Sequence, residues 1–335
     1  MSTSHSRKAA VASGRRKVKA APKGRVMDPR ALEEVRALLG DAPRRRDLLI
    51  EHLHRIQDRY HHLSDRHLLA LAQEMKLAAA EVYEVATFYH HFDVVKDGAE
   101  APPALTVRVC ENLACDMAGA KDLMARLPQI LGGDVRVIPA PSVGRCEQAP
   151  VAVVGRNPVG RATPDAVAQA VKEKRTEAPL PKYLDYRAYR KGGGYRSWLE
   201  VWNGTRKPED VIAALEHSGL RGLGGAGFPV GRKWNIVRAE AEPRLMAVNI
   251  DEGEPGTFKD RYYLERDPHR FLEGMLIAAY CVGIAEVYLY LRDEYADCRA
   301  ILDKEIAALQ KNPPSPLPPI HLRRGAGAYI CGEES

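Results

Sequence analysis

The second half of the chain carries two glycine-rich stretches close together: Gly219-Leu-Arg-Gly-Leu-Gly-Gly-Ala-Gly-Phe-Pro-Val-Gly-Arg-Lys-Trp234 and Asn249-Ile-Asp-Glu-Gly-Glu-Pro-Gly-Thr-Phe-Lys-Asp-Arg261. Glycines at this density let a backbone approach a ligand closely and turn its N–H groups toward that ligand. The first stretch ends on basic residues, and the second contains several carboxylates. Together they predict a site for a cofactor that bears a phosphate.

The first stretch contains Gly222-Leu-Gly-Gly-Ala-Gly227, which matches the G-x-G-x-x-G pattern of dinucleotide-binding loops. The match alone is weak, because no clear strand precedes it and no acidic residue at a second strand end follows about 20 residues on. A loop that needs several glycines with positive φ is the structural alternative. Lys233 supplies a cation for a phosphate, with a solvated surface lysine as its alternative.

The second stretch places Asp251, Glu252 and Glu254 directly after a predicted strand, Leu245–Ile250. Neighbouring acids can bind a metal or transfer protons. The glycines between and after them instead favour a tight loop around a ligand, whose hydroxyl or ring N–H groups would donate to the carboxylates. A solvated acidic turn is the alternative interpretation.

The hydrophobic periodicity predicts an α/β chain in several parts. Residues 28–102 carry helical patterns typical of a small bundle, and residues 103–172 alternate strands and helices as a thioredoxin-like domain does. Residues 173–196, rich in charge, Pro and Gly, predict a linker. Residues 197–335 indicate a parallel, Rossmann-like sheet that binds ligands beyond the carboxyl ends of its strands. Because the chain stops inside a further glycine-rich run, 325–335, we expect a truncated last domain and a longer parent polypeptide.

The composition, 45% hydrophobic and 28% charged over 335 residues, is ordinary for a globular protein. No apolar run suits a membrane span or a secretory signal, so we expect a cytoplasmic protein without direct membrane insertion. The net charge of +6 is uneven, since residues 1–27 hold eight Lys or Arg and no acid. We expect a disordered basic tail there; the alternatives are a docking arm for an acidic partner, a nucleic-acid arm and an organelle transit peptide.

The cysteines of a cytoplasmic chain are more often metal ligands or core residues than disulfides. The chain contains six: Cys110, Cys115, Cys146, Cys281, Cys298 and Cys331. The first two flank the end of a predicted strand and the third follows in a later loop, where thiolates can hold iron. Two buried cysteines and an unrelated third are the alternative. We expect Cys281 in the core and Cys298 without a special role.

These motifs together resemble the NADH-oxidising module of respiratory complex I. Residues 197–335 resemble its flavoprotein subunit through Ser218–Trp234, Asn249–Arg261 and Gly325–Glu334, which occur in the family's order. Residues 28–172 resemble the smaller, thioredoxin-like [2Fe–2S] subunit, largely through the run Val82-Tyr-Glu-Val-Ala-Thr-Phe-Tyr89.

A fusion of these two parts resembles the diaphorase subunits of soluble NAD-dependent formate dehydrogenases and of bidirectional NAD-reducing hydrogenases. The segment Arg145–Gly155 favours the formate dehydrogenase beta subunit. The resemblance implies FMN and NAD(H) in this chain and a [4Fe–4S] cluster in sequence beyond residue 335. It also implies a formate dehydrogenase catalytic subunit and a small [2Fe–2S] subunit as partners, and no nucleic acid. A non-catalytic assembly subunit is the alternative from another class.

The resemblance also implies roles for individual residues. It assigns FMN contacts to Gly222, Gly224, Gly225, Lys233, Asn249, Asp251, Glu252 and Gly332. Phe228 would stack on the adenine of the nucleotide, and Glu254 and Glu334 would orient its nicotinamide end. Leu223 stands where the family usually has Arg, from which we expect a modest effect on phosphate affinity.

The family's [2Fe–2S] ligands follow the pattern C-x4-C and then C-x3-C. Cys110, Cys115 and Cys146 match three of these positions, and Ser142 stands at the fourth. A serine oxygen can ligate iron, but it is a harder and less acidic ligand than a thiolate. Two outcomes therefore stay open: a cluster with one oxygen ligand, or a docking domain that has lost its cluster.

Overall fold

The computed structural model of the chain describes residues 26–332. Nearly all of the predicted basic tail lies outside the described residues, and so does Glu334. The predicted fold class, a helical bundle and a thioredoxin-like domain followed by a Rossmann-like domain, is confirmed. Among the described residues, no helix is both long and apolar enough to cross a membrane.

The first part is a helical bundle with a short parallel pair of strands. Its elements are α1 (Pro29–Leu39), α2 (Leu49–Tyr60), β1 (Leu63–Ser64), α3 (Asp65–Met75), α4 (Ala79–Phe88) and β2 (Val94–Val95). Side-chain caps fix two helix starts, because Asp28 accepts the N–H of Arg30 and Ser64 accepts that of His67. The helices bury their apolar faces against one another around residues such as Leu53.

The second part is a mixed sheet in the order β4-β3-β5-β6, in which β3 pairs parallel with β4 and antiparallel with β5. Its elements are β3 (Leu105–Cys110), α5 (Leu113–Met117), α6 (Ala120–Leu131), β4 (Val135–Ala140), β5 (Ala152–Val154), β6 (Asn157–Val159) and α7 (Pro164–Lys172). Helices α6 and α7 pack against each other and against the sheet. The topology brings Cys110, at the end of β3, next to the loop that follows β4.

The predicted linker, residues 173–196, is wrong in its second half. That half contains α8 (Tyr186–Lys191), and its tyrosines pack against the third part of the chain. The Tyr183 hydroxyl donates to Glu305 at 2.8 Å, and the Tyr195 ring is fully buried. The Gly and charge content of the segment suggested a flexible connection, but its aromatic rings bury enough apolar surface to hold it in place.

The third part is a parallel sheet in the order β7-β8-β9, with helices packed against it. Its elements are α9 (Arg196–Trp202), α10 (Pro208–Ser218), α11 (Val230–Arg238), β7 (Arg244–Ile250), α12 (Lys259–Leu264), α13 (Pro268–Val282), β8 (Ile284–Leu291), α14 (Ala296–Lys311) and β9 (Ile320–Arg324). The predicted parallel arrangement is therefore confirmed. Helices α9, α11 and α12 were not predicted, because each is short and the last two lie against glycine-rich stretches.

Candidate functional site

The carboxyl edge of the third sheet brings three segments of the chain together. Ile250 pairs with Leu291, and Leu291 pairs with Arg324, so the strands end side by side. The residues that follow these strands are Asp251, Arg292 and Gly325. The predicted acidic loop and the last glycine-rich run therefore meet at one edge, as expected for a ligand site on a parallel sheet.

The glycine loop connects α10 and α11 and folds back on itself. The Gly222 N–H donates to the carbonyl of Phe228 at 2.9 Å. Gly225 and Gly227 have positive φ values of 110° and 61°. No atom of the described chain lies within 4 Å of the position that a Cβ would take at Gly224 or Gly225. The loop thus leaves open space for a ligand against its backbone.

The start of α11 completes an anion-binding arrangement next to this loop. Pro229 occupies the N-cap and offers no side-chain acceptor, so the first N–H groups of the helix are not capped by a side chain. The exposed Lys233 ammonium makes no hydrogen bond or ion pair within residues 26–332. Arg221 donates to the Gly227 carbonyl at 2.9 Å and braces the loop. These groups fit a phosphate.

Two apolar side chains of the same loop face solvent. Leu223 is 77% exposed and Phe228 is 42% exposed. The guanidinium of Arg232 lies 5.7 Å from the centre of the Phe228 ring. The ring is therefore accessible for stacking, which is compatible with the predicted contact to an adenine.

Asp251 follows β7 and has an unsatisfied carboxylate oxygen. Its Oδ2 is buried without a hydrogen-bond partner among the described residues. Burial raises the pKa of Asp251 to about 7, although the nearby Arg292 guanidinium and a hydrogen bond with the Cys331 side chain act in the opposite direction. A buried oxygen of this kind needs a donor, and a flavin ring N–H or a ribitol hydroxyl is such a donor. The residues present therefore fit FMN.

Asn249 and Gly332 hold the two glycine-rich segments against each other. The Asn249 side chain donates to the Gly332 carbonyl at 2.8 Å and accepts the Asp251 N–H at 3.0 Å. Gly332 has a φ of 78°, and a Cβ there would lie 2.6 Å from Asn249 Oδ1. These two predicted FMN contacts therefore also shape the loop that carries Asp251.

The Glu252 side chain turns inward. Its buried carboxylate accepts the N–H of Asp260 at 3.1 Å and the hydroxyl of Tyr295 at 2.9 Å. The Lys259 ammonium lies 3.6 Å from the same carboxylate. With these partners the Glu252 carboxylate anchors the acidic loop and is already occupied, so the structure does not offer it for the predicted flavin contact.

Glu254 lies at the exposed mouth of the site. The hydroxyl of Tyr329 donates to its Oε1 at 2.8 Å, which fixes the orientation of the carboxylate. Beside it is a cavity of about 350 Å³ between the second and third parts of the chain. Its lining includes Asn112, Ser142, Gly253, Pro255, Arg292 and Tyr329. Glu334, the other predicted nicotinamide contact, lies outside the described residues.

Cys110 and Cys115 form a buried thiol pair at the end of β3. The hydrogen bond from Cys115 lowers the pKa of Cys110 to about 6, and the same bond raises the pKa of Cys115. Backbone N–H groups of Asn112 and Val143 also stabilise the Cys110 thiolate. Hydrogen bonds of this kind to sulfur are typical of iron–sulfur sites.

The other two predicted ligands lie on the loop after β4. Ser142 Oγ is 3.9 Å from the sulfur of Cys146. Cys146 in turn is close enough to Cys115 to contribute to the raised pKa of the Cys115 thiol. The Gly256 N–H, from the acidic loop of the third part, donates to the Cys146 sulfur at 3.3 Å. The three sulfurs and the hydroxyl thus follow the adjacent strands β3 and β4, and the chemistry of this donor set fits a [2Fe–2S] cluster with one oxygen ligand.

Three arginines that the sequence did not single out bind this cysteine loop to the third part. Arg145 donates to the Asp297 carboxylate at 2.6 Å, and Arg292 donates to the Ser142 carbonyl at 2.7 Å. Arg261 donates to another carbonyl of the same loop. The signal for Arg292 was its position directly after the apolar run Val287–Leu291 of β8, since Asp251 has the same position one strand away.

The helical bundle also contacts the carboxyl edge. His54 Nε2 lies 2.7 Å from the Gly325 carbonyl, and His91 Nδ1 lies 2.9 Å from the Asp293 carboxylate. Arg324 forms an ion pair with the same carboxylate. Burial lowers the pKa of His54 to about 3, so that ring is neutral. All three parts of the chain therefore meet around one site.

Comparison with known families matches both halves of this arrangement. Residues 215–335 match the family described as Nuo51 FMN-binding domain. Residues 35–175 match the family described as thioredoxin-like [2Fe–2S] ferredoxin. The two matches cover the glycine loop with the acidic loop, and the cysteine site, respectively.

Individual relatives and solved structures agree with these matches. One of the NADH-quinone oxidoreductase subunits of Rhizobium meliloti (strain 1021) is 43% identical over 156 residues, 44% of this chain and 37% of that protein. NAD-reducing hydrogenase HoxS subunit alpha of Cupriavidus necator is 31% identical over 334 residues, 87% of this chain and 54% of that protein. A crystal structure of an NAD⁺-reducing [NiFe]-hydrogenase in the H2-reduced state superposes with a TM-score of 0.70 at 28% identity, over 86% of this chain and 53% of that one. The chain spans about half the length, or less, of these curated relatives.

Proposed function

Because the chain joins a Nuo51-type FMN-binding domain to a thioredoxin-like [2Fe–2S] ferredoxin domain, we propose that it is the diaphorase part of a multisubunit redox complex. In this role it exchanges a hydride between NAD(H) and FMN and passes electrons to iron–sulfur clusters. The observation that carries the proposal is the contact between the two sites, in which Gly256 of the acidic loop donates to the sulfur of Cys146.

FMN, when bound, accepts the electron pair of NADH as a hydride and can release the two electrons singly to one-electron acceptors. The glycine loop and Lys233 bind its phosphate, and the free oxygen of Asp251 accepts a ring or ribitol donor. Phe228 stacks on the adenine, and Glu254, oriented by Tyr329, positions the nicotinamide. The hydride step requires no acid or base from the protein, so these side chains act by binding and alignment.

In the second domain, Cys110, Cys115 and Cys146 supply three thiolates for a [2Fe–2S] cluster, and Ser142 supplies the fourth ligand. Ser142→Cys tests this assignment, with Ser142→Ala as its companion. The cysteine variant should raise the cluster's reduction potential and change its EPR g-values, since a thiolate is a softer ligand than a serine oxygen. An EPR spectrum and potential that are the same in wild type and both variants would contradict ligation by Ser142.

For the host complex, we propose an NAD-dependent formate dehydrogenase, supported by the resemblance of the segment Arg145–Gly155. Its catalytic subunit and a small [2Fe–2S] subunit would be the partners. An NAD-reducing hydrogenase is the second candidate, because the hydrogenase relative is similar over 87% of this chain. Respiratory complex I is a third setting, suggested by the NADH-quinone oxidoreductase relative.

The decisive experiment purifies the native complex anaerobically through the full-length subunit. Reduction of ferricyanide by NADH tests the flavin chemistry, and reduction of NAD⁺ by formate or by hydrogen identifies the partner. Formate-dependent reduction supports the formate dehydrogenase assignment, whereas hydrogen-dependent reduction replaces it with the hydrogenase. A colourless complex that does not oxidise NADH would contradict the diaphorase proposal and favour an assembly subunit.

A further inference from the structure

Arg292 lies between the two candidate redox sites. Arg292 directly follows β8, and its side chain is only 5% exposed. One nitrogen donates to the carbonyl of Glu252 in the acidic loop, and the other donates to the carbonyl of Ser142 in the cysteine loop at 2.7 Å. A single side chain therefore joins the loop beside the FMN site to the loop that carries the predicted cluster ligands.

The surroundings of Arg292 fix its position. The Glu294 carboxylate accepts a hydrogen bond from its Nε at 3.2 Å, and a second Glu294 oxygen lies 3.2 Å from a terminal nitrogen. The ring of Tyr295 lies against the guanidinium, with 5.1 Å between ring centre and Cζ. A planar guanidinium held in this way can serve two carbonyls at once, which the single ammonium of lysine does less well.

The charge of Arg292 reaches the flavin side of the site. Burial raises the pKa of the neighbouring Asp251 carboxyl, and the charge of Arg292 is the largest contribution that lowers it. On the other side, its hydrogen bond to Ser142 places the same cation next to the cysteine loop. Charges in a buried site interact more strongly than charges in water, so one cation can act on both centres.

A second contact runs in parallel. The Gly256 N–H donates to the sulfur of Cys146 at 3.3 Å, four residues beyond the Glu252 carbonyl that Arg292 binds. The acidic loop is thus fastened to the cysteine loop at both of its ends. The spacing between the two sites is set by these two contacts and by the arginine clamps on either side.

We propose that Arg292 is a positioning residue for electron exchange between the flavin and the [2Fe–2S] site. Its guanidinium fixes the distance between the two loops, and its charge stabilises the reduced form of both centres, which carries the additional negative charge. This inference rests on the proposed function, because it requires both cofactors to be bound.

The test uses the full-length subunit in its native complex with Arg292→Met and Arg292→Lys. Arg324→Met is the matched control, since the Arg324 side chain is also largely buried, at 12% exposed, but pairs with Asp293 and Asp58 on the side of the helical bundle. Potentiometric titration reports the flavin potential by absorbance and the cluster potential by EPR. Cofactor content is measured for each variant.

The methionine variant should shift both potentials to more negative values and slow the reduction of the cluster after NADH is added. The lysine variant keeps the charge, so its flavin potential should stay near wild type, while cluster reduction is slowed because the two-carbonyl bridge is lost. The Arg324 control should leave both potentials unchanged.

Wild-type potentials in a cofactor-replete Arg292→Met complex would overturn the inference alone. If Arg292→Met does not fold, unchanged cluster reduction in Arg292→Lys would overturn it instead. A wild-type complex that oxidises NADH on FMN but shows no cluster signal would contradict the proposed cluster, and this inference with it. Equal shifts in the Arg292 and Arg324 variants would reduce Arg292 to a general structural role.

Discussion

The glycine loop and the carboxyl edge of the sheet contribute to one predicted cofactor site in opposite ways. On the glycine loop and the start of α11, Phe228 and Lys233 are exposed, and the space beside Gly224 and Gly225 is open. At the carboxyl edge, Glu252 and Arg292 are buried and bound to neighbouring parts of the protein. The groups on the loop side are exposed and available to a ligand, whereas most groups at the carboxyl edge are already bound to other residues and stabilise the fold.

This difference predicts which measurement responds to a substitution. A change on the loop should alter ligand affinity and leave stability nearly constant, because few internal contacts are lost. A change at the edge should alter stability first and function as a consequence, because buried polar groups lose their partners. The following substitutions test that division.

Glu252→Ala should cause the largest loss of stability. A small loss would contradict the difference drawn between the glycine loop and the carboxyl edge. It leaves the Asp260 N–H and the Tyr295 hydroxyl without their buried acceptor. We expect the free energy of unfolding to fall by about 2–4 kcal/mol. Chemical denaturation of the apoprotein measures this, with Glu254→Ala at the exposed mouth as control. An equal loss in both variants would contradict the assignment of Glu252 as an anchor.

Glu254→Gln sharpens the comparison at the mouth of the site. The neutral amide should lower kcat/KM for NADH by about tenfold, the effect of losing one charge-assisted hydrogen bond. FMN content and the unfolding midpoint should stay unchanged, because the carboxylate contacts only the exposed Tyr329 hydroxyl among hydrogen-bonding side chains of the described chain. Steady-state kinetics with ferricyanide measures the first quantity. Unchanged turnover would remove Glu254 from the nicotinamide site.

Lys233→Ala tests the exposed side of the site, where α11 begins beside the glycine loop. Loss of its charge should weaken FMN binding by about tenfold, since a charge-assisted hydrogen bond to phosphate is lost. The free energy of unfolding should change by no more than about 0.5 kcal/mol. Fluorescence titration of the apoprotein with FMN gives the affinity, and Lys311→Ala at the end of α14 is the control. Equal affinities of both variants would exclude Lys233 as a phosphate ligand.

Asp251→Asn is read out in the pH dependence of stability, and it concerns a carboxylate oxygen that is buried without a hydrogen-bond partner among residues 26–332. Burial raises the pKa of Asp251 from 3.8 to about 7, so between these values the folded apoprotein holds a proton that the unfolded chain has released. Its stability should therefore fall as the pH rises toward 7 and level off above it. The difference in Tm between variant and wild type should grow over the same range. A difference that is constant with pH would contradict the raised pKa.

The sequence was sufficient for features that depend on neighbouring residues. The open glycine loop and the positions of Cys110 and Cys115 follow from local spacing. The role of Glu252 could not be derived in this way. Its carboxylate direction depends on Tyr295, which is 43 residues away in the chain.

Strand register explains the other omissions. Arg292 meets the acidic loop only because β8 lies between β7 and β9, with Ile250 opposite Leu291. Residues 183–196 were predicted as linker because their Gly and charge content dominates the local pattern. The packing of the Tyr195 ring against the third domain decides their structure, and that packing requires the assembled sheet.

The hydrogen bond from Gly256 to Cys146 joins residues that are 110 positions apart in the chain. During synthesis on the ribosome, the cysteines emerge first, while Gly256 and Arg292 are still to be translated. The cysteine loop therefore reaches its final form only after the sheet of the third domain has been made. The order of synthesis therefore makes completion of the cysteine loop wait for the domain that carries the acidic loop.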